Sequence, residues 1–202
     1  MRKVRIAVLV SGGGTNLQAL IDSIQKGDIN GEIVIVISDR ENAYALERAK
    51  KYGIKGICID RKYCSSRLLQ ELQKMDTELV VLAGFLSILD SKLVKAYEGR
   101  IMNIHPSLIP AFCGRGFYGE KVHKAALEYG VRVAGATVHF VDEGTDSGPI
   151  ILQEAVEVNA EDTVETLAKR VLEVEHRLLP AAVGLFCKGK LGIEGRRVIT
   201  RF

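Results

Sequence analysis

Asn103 and His105 follow the apolar pair Ile101-Met102 and lead into Pro106-Ser107-Leu108-Ile109-Pro110. In an extended backbone such alternate residues leave on the same side. The two prolines disfavour helix at His105 and Ile109 and keep the segment extended and stiff. An amide donor beside a titratable imidazole on one rigid face suits chemistry at a carbonyl, where negative charge develops on oxygen. Asp146, confined on its far side by Ser147-Gly148-Pro149, is the candidate carboxylate. Placed near His105, it would favour imidazolium and fix the ring's orientation. Asp142 and Glu143 in the same loop read as solvated charges, His139 as a satisfied structural histidine on a strand, and His123 as an exposed helix residue. The same residues admit a structural reading, with Asn103 capping a turn and His105 bonded within the core.

A second group is the run Ser11-Gly12-Gly13-Gly14-Thr15-Asn16 between an apolar stretch and a helix. Exposed amides at the positive end of a helix dipole bind anions, and Thr15 and Asn16 add side-chain donors. A dinucleotide fingerprint would need a small residue where Leu17 stands and an acidic residue nearer than Asp39. A P-loop would need Gly-Lys-Ser or Gly-Lys-Thr, which is missing. Phosphate therefore competes with a purely structural tight turn.

These groups need a scaffold. Arg5–Val10 is a continuous apolar run of the kind found in a strand buried on both faces. The further strands expected are Ile33–Ile37, Ile54–Ile59 and Leu79–Leu82, alternating with helices from Leu17, over Ala43–Tyr52, Ser66–Met75 and Ser91–Tyr97. Such alternation implies crossover connections and a parallel sheet covered on both faces. After Pro110 come a glycine-rich loop (Cys113–Gly119), a helix over Lys121–Tyr129, and β-rich segments Val131–Val141 and Ile150–Val158 joined directly by the loop carrying Asp146. A direct loop suggests an antiparallel addition. Asp162-Thr163-Val164-Glu165 starts a long helix to about Cys187, with a kink expected at Pro180. The expectation is an α/β chain: a Rossmann-like open, mostly parallel sheet with helices on both faces and an antiparallel C-terminal addition.

The 202 residues suit one domain, with a core over about Val4–Lys188 and a short basic tail, 190–202, to which no role is assigned. The balance of 28 basic against 25 acidic residues leaves +3, too little for a nucleic-acid binder but suited to small anionic ligands. Cys58, Cys64, Cys113 and Cys187 show no paired spacing, so reduced thiols are expected rather than disulfides or a zinc site. Neither Cys113 nor Ser107 has an evident paired base, which argues against a covalent intermediate. The N-terminal apolar run is too short for a signal peptide and no stretch reaches membrane-spanning length, so a cytoplasmic protein is expected.

In order, Ser-Gly-Gly-Gly-Thr-Asn-Leu, Leu-Ala-Gly-Phe-Leu-Ser-Ile-Leu, Asn-Ile-His-Pro-Ser-Leu-Ile-Pro, Val-His-Phe-Val and Asp-Ser-Gly-Pro-Ile occur along the chain. This series resembles the folate-dependent phosphoribosylglycinamide formyltransferases of purine synthesis. The resemblance runs over roughly Val4–Lys188. It implies transfer of a formyl group from 10-formyltetrahydrofolate, a co-substrate, to the glycyl amine of 5'-phosphoribosylglycinamide, with no metal. It implies Asn103, His105 and Asp146 as the catalytic trio, and the ribonucleotide at Gly14, Thr15, Asn16 and Glu175. Folate is implied at Arg67, Leu86, Ser87, Ile88, Leu89 and Asn103. Both partners are then small molecules, and the protein a monomer or homodimer. Many relatives carry Arg at Ser87. Leu172 stands where some carry Lys, which shifts part of the phosphate grip to Lys169 or Arg170. A formyltetrahydrofolate hydrolase is expected to carry an N-terminal regulatory domain, and a methionyl-tRNA formyltransferase a C-terminal RNA-binding domain. A non-catalytic nucleotide sensor would not need the trio.

Overall fold

In β1 (Val4–Val10), every residue from Ile6 to Val10 is inaccessible to solvent. Both faces are covered because successive side chains point to opposite sides. Ile6, Val8 and Val10 pack with Leu17, Leu20 and Ile21 of α1 (Thr15–Lys26) and with Val171, Val174 and Leu178 of α6 (Val164–Cys187). Ala7 and Leu9 face Leu68 and Leu72 of α3 (Cys64–Lys74) and Leu93 of α4 (Ser91–Ala96). The computed structural model describes residues 2–60 and 64–200, without the side chains of 64 and 65. The Cys64 thiol and the last two residues of the basic tail lie outside that description. Cys58, Cys113 and Cys187 are free thiols.

The remaining elements are β2 (Gly31–Ser38), α2 (Tyr44–Lys51), β3 (Gly56–Cys58), β4 (Leu79–Leu82), β5 (Ile101–His105), α5 (Glu120–Tyr129), β6 (Val133–Phe140) and β7 (Ile150–Glu157). A C-terminal hairpin of β8 (Leu191–Glu194) and β9 (Arg197–Thr200) completes the chain. The sheet runs β3-β2-β1-β4-β5-β6-β7-β9-β8. The first five in that order are parallel, β6 is antiparallel to β5, and β7 to β6. This is the expected mostly parallel sheet with an antiparallel addition. The hairpin was not expected: its strands are four residues each and only partly buried, too short to carry a period.

Strand order reverses between β1 and β4, whose connections leave towards opposite flanks of the sheet. The crevice beyond the carboxyl ends of strands at such a point is where α/β sheets bind ligands. Three segments emerge there: the glycine loop after β1, Gly84–Leu89 after β4, and Pro106 onward after β5. Ser11 ties the first two, donating its N–H to the Gly84 carbonyl at 3.0 Å and accepting the Leu86 N–H on its hydroxyl at 2.8 Å.

The long helix α6 begins at Thr163 with a reciprocal bond to Thr166, and it continues as one element through Pro180. Arg170 in it donates to both carboxylate oxygens of Asp162 at 2.8 Å and to the Glu157 carbonyl. These bonds fasten the start of the helix.

Candidate active site

The β5–β6 register sets His139 opposite Asn103 and Thr137 opposite His105. Asn103 and His105 share a face, as their spacing requires, and the loop between β6 and β7 brings Asp146 over them. Its carboxylate oxygens lie 3.6 Å from His105 Nδ1, 3.7 Å from His139 Nε2 and 3.4 Å from Asn103 Nδ2. Asp146 has φ 55, a left-handed conformation in which Asp is tolerated better than most residues. The Gly114 N–H donates to its Oδ2 at 2.9 Å.

The bonds assign the protons. His139 Nδ1 lies 2.8 Å from the Phe140 carbonyl and so carries a hydrogen. Its Nε2 lies 3.1 Å from Asn103 Nδ2 and 3.7 Å from Asp146 Oδ1, and the Asn103 amide also points to Asp146. His105 Nε2 lies 3.0 Å from the Phe112 carbonyl and must be the donor.

Burial pulls the His105 imidazole below its ordinary range, and the opposing pull of Asp146 and the Phe112 carbonyl does not make up the loss. The expected standing imidazolium is thus corrected: 4 % exposure outweighs one carboxylate that is not in hydrogen-bond contact. Burial alone would raise the Asp146 carboxyl, but His139, His105 and the Gly114 N–H together hold it below the usual carboxylate range. The result is a neutral imidazole beside an anionic carboxylate.

Around these groups is a cleft of about 460 Å³, walled by Leu86, Ser87, Ile88 and Leu89 on one side and by Gly114–Gly119 and Asp142–Asp146 on the other. Its lining is mainly apolar, with Asn103, His105, His139 and Asp146 converging at its base. A flat apolar ring can be held against such a wall while a carbonyl meets the polar base.

Residues 4–183 match the family of formyl transferases. The chain belongs to that family. Among curated relatives, the formyl transferase is 48% identical over 197 residues to the trifunctional purine biosynthetic protein adenosine-3 of Gallus gallus, covering 95% of this chain but 19% of that protein. It is 40% identical over 196 residues to the phosphoribosylglycinamide formyltransferase of Haemophilus influenzae, covering 94% of this chain and 90% of that one. Glycinamide ribonucleotide transformylase 1 of Symbiobacterium toebii superposes with a TM-score of 0.94 at 47% identity, over 100% of this chain and 95% of that one.

Of the residues expected to hold ligands in this formyl transferase, Leu86, Ser87, Ile88, Leu89 and Asn103 line the cleft. The Ser87 hydroxyl is already spent, donating to Asp39 Oδ2 at 2.6 Å. Arg67 lies on α3, exposed, and is not part of the cleft wall. Gly14, Thr15, Asn16 and Glu175 form a separate group, since α6 brings Glu175 to Asn16, whose Nδ2 donates to Oε2 at 2.7 Å. Burial raises the Glu175 carboxyl and the Asn16 bond opposes this. Gly14 caps α1 at φ 70, where an added Cβ would sit 2.6 Å from the Ala45 Cβ.

Of the two histidines given no catalytic part, one matches its expected place and one does not. His139 is the satisfied, buried strand histidine expected, with both ring nitrogens partnered, and it also lines the base of the cleft. The alternation of Val-His-Phe-Val puts it on a face, and the strand pairing that sets it against Asn103 is not written in that segment. His123, taken as exposed, is 5 % exposed because α5 buries Val122, His123 and Ala126 together. Burial lowers its imidazole, with His105 adding to the effect. Cys113 donates to the Pro110 carbonyl and Ser107 to the Ala111 carbonyl, and burial raises the Cys113 thiol, with Asp146 adding to the effect. Among the described residues no group of His, Cys, Asp and Glu side chains is placed to hold a metal ion, and no helix is long and apolar enough to cross a membrane.

Proposed function

We propose that the protein transfers the formyl group of 10-formyltetrahydrofolate to the glycyl amine of 5'-phosphoribosylglycinamide, a step of purine synthesis. The observation that carries this reading is the convergence of Asn103, His105 and Asp146, all within 3.6 Å of a neighbour in the trio, at the base of an apolar cleft. The names of the relatives in Haemophilus influenzae and Symbiobacterium toebii point to the same reaction.

The amine nitrogen attacks the formyl carbon, and the carbonyl oxygen takes up negative charge. The Asn103 amide and the neutral His105 Nε2–H donate to that oxygen, Asn103 giving up its 3.4 Å contact with Asp146 and His105 the Phe112 carbonyl. Each such donor contributes on the order of 3 kcal/mol of barrier lowering. The carbon–N10 bond then breaks. Asp146, ionised at neutral pH, receives the proton shed by the amine and returns it, through water, to N10. Leu86, Ile88 and Leu89 offer the pteridine ring an apolar wall. Gly14, Thr15 and Asn16 receive the phosphate, and Glu175 the glycyl end. Holding both substrates supplies the remainder as effective concentration.

In this reading residues 1–202 form one formyltransferase domain. It works as a cytoplasmic monomer or homodimer whose partners are small molecules rather than nucleic acid or membrane. The test incubates purified protein with formyl-folate, with and without glycinamide ribonucleotide. Loss of formyl-folate that depends on the amine supports transfer. Loss without it indicates hydrolysis, and no loss in either tube a binding protein; both outcomes overturn the proposal.

A further inference from the structure

The basic C-terminal hairpin has no part in the chemistry described above, yet it reaches the loop that carries Asp146. Arg196, in its turn beside Gly195 (φ 59), donates from Nη2 to the Ser147 carbonyl at 2.9 Å. The next residue, Arg197, pairs with Ile150 where β7 leaves that loop. Leu191 and Val198 pack against the main core, so the hairpin is itself anchored.

The loop needs such support. Asp146 sits at φ 55, a conformation that a non-glycine residue keeps where neighbours fix it. On its N-terminal side Asp142 gathers the loop, accepting from the Gly144 N–H at 3.0 Å and the Ser147 hydroxyl at 2.6 Å. On its C-terminal side Gly148 lies so close that a Cβ there would collide with the Phe140 carbonyl. The Ser147–Gly148 peptide is therefore held between β6 and Arg196, one residue from the carboxylate.

We propose that Arg196 is a positioning residue for formyl transfer, holding the Ser147 carbonyl so that Asp146 stays over His105 and Asn103. This rests on the formyl-transfer reading for its consequence in turnover, and on geometry for its consequence at His105. Asp146 draws the His105 proton affinity upward, with the Phe112 carbonyl and against burial and the nearby His139, while His123, also nearby, is itself lowered by His105. A carboxylate that drifts away takes that contribution with it, so the His105 titration midpoint falls.

The experiment uses the full chain as wild type, Arg196→Ala and Arg196→Lys. It measures kcat, both KM values and the His105 midpoint by imidazole NMR. Arg196→Ala is expected to lower kcat roughly tenfold, the scale of a carboxylate displaced by a fraction of an ångström. Both KM values stay put, the His105 midpoint falls, and Arg196→Lys, which still donates to a carbonyl, recovers most of the rate. Wild-type kcat and an unmoved midpoint in Arg196→Ala overturn the proposal. So does a loss in which both KM values rise while the midpoint holds, because that is general disturbance. If wild type itself shows no amine-dependent transfer, the functional reading has failed, and the midpoint alone decides: lowered in Arg196→Ala keeps the positioning role, unchanged ends it.

Discussion

In the resting cleft the His105 Nε2–H is bonded to the Phe112 carbonyl and the Asp146 carboxylate to the Gly114 N–H, so the loop after Pro110 occupies both groups before substrate arrives. On the proposed mechanism, replacing His105 by Ala removes one donor to the developing oxyanion, and kcat should fall about 100- to 1,000-fold. Replacing Asp146 by Asn removes the proposed proton acceptor, with an expected loss of roughly 100- to 10,000-fold. Calorimetric binding of the ribonucleotide should be unchanged in both, since Gly14–Asn16 stand apart from the trio; near-normal turnover in either variant removes the assignment. The charge on His105 gives a separate check. Its midpoint lies below the ordinary 6.5, so the imidazole is neutral from that pH upward. A reaction that uses the neutral N–H keeps its kcat/KM above pH 6.5. A fall of about tenfold per pH unit there would mean that the imidazolium is required. The Asn103/His105 face was legible from spacing alone. The proton count was not, because it depends on how deeply the ring is buried.

At the scale of elements, the turn from β1 into α1 couples backbone shape to the proposed phosphate site. Gly14 combines φ 70 with a Cβ position 2.6 Å from Ala45, so Gly14→Ala both strains the turn and pushes α2 away. The expected cost is about 1–3 kcal/mol of stability, together with weaker ribonucleotide binding. Urea unfolding and the ribonucleotide KM would read it, and a variant normal in both would show that the turn is not built as described. The parallel strands and their helices were readable because apolar runs punctuated by glycine leave few alternatives; β1 and β4 fall within a residue of their expected bounds. The C-terminal hairpin was not. Its strands alternate weakly, and what holds them is packing of Leu191 and Val198 on a core built by the rest of the chain. The capping pair at the start of α6 was foreseen near Asp162, and Thr163 with Thr166 provides it.

For the molecule as a whole, buried titratable groups oppose one another across the pH scale. Burial lowers His105 and His123, so as pH falls below about 6.5 the unfolded chain takes up protons first and stability declines. Burial raises Glu175, so the native state binds its proton more tightly, and stability declines as pH rises from the ordinary carboxyl range to that raised value. Glu175→Gln should therefore be more stable than wild type at neutral pH while turning over more slowly. Urea midpoints measured across pH for the two proteins test this, and equal midpoints at pH 7 and pH 4 would show that the carboxyl carries no such cost. The alternating strands and helices, the glycine turn and a face pairing Asn103 with His105 could be read before any fold was known, because these follow from periodicity and from backbone restrictions acting over a few residues. Tertiary structure decided that His105 is neutral and that His139 joins the base of the cleft. It also decided that Glu175 meets Asn16 across 159 positions of chain and that Arg196 reaches Ser147. Burial and strand register exist only once distant segments have packed.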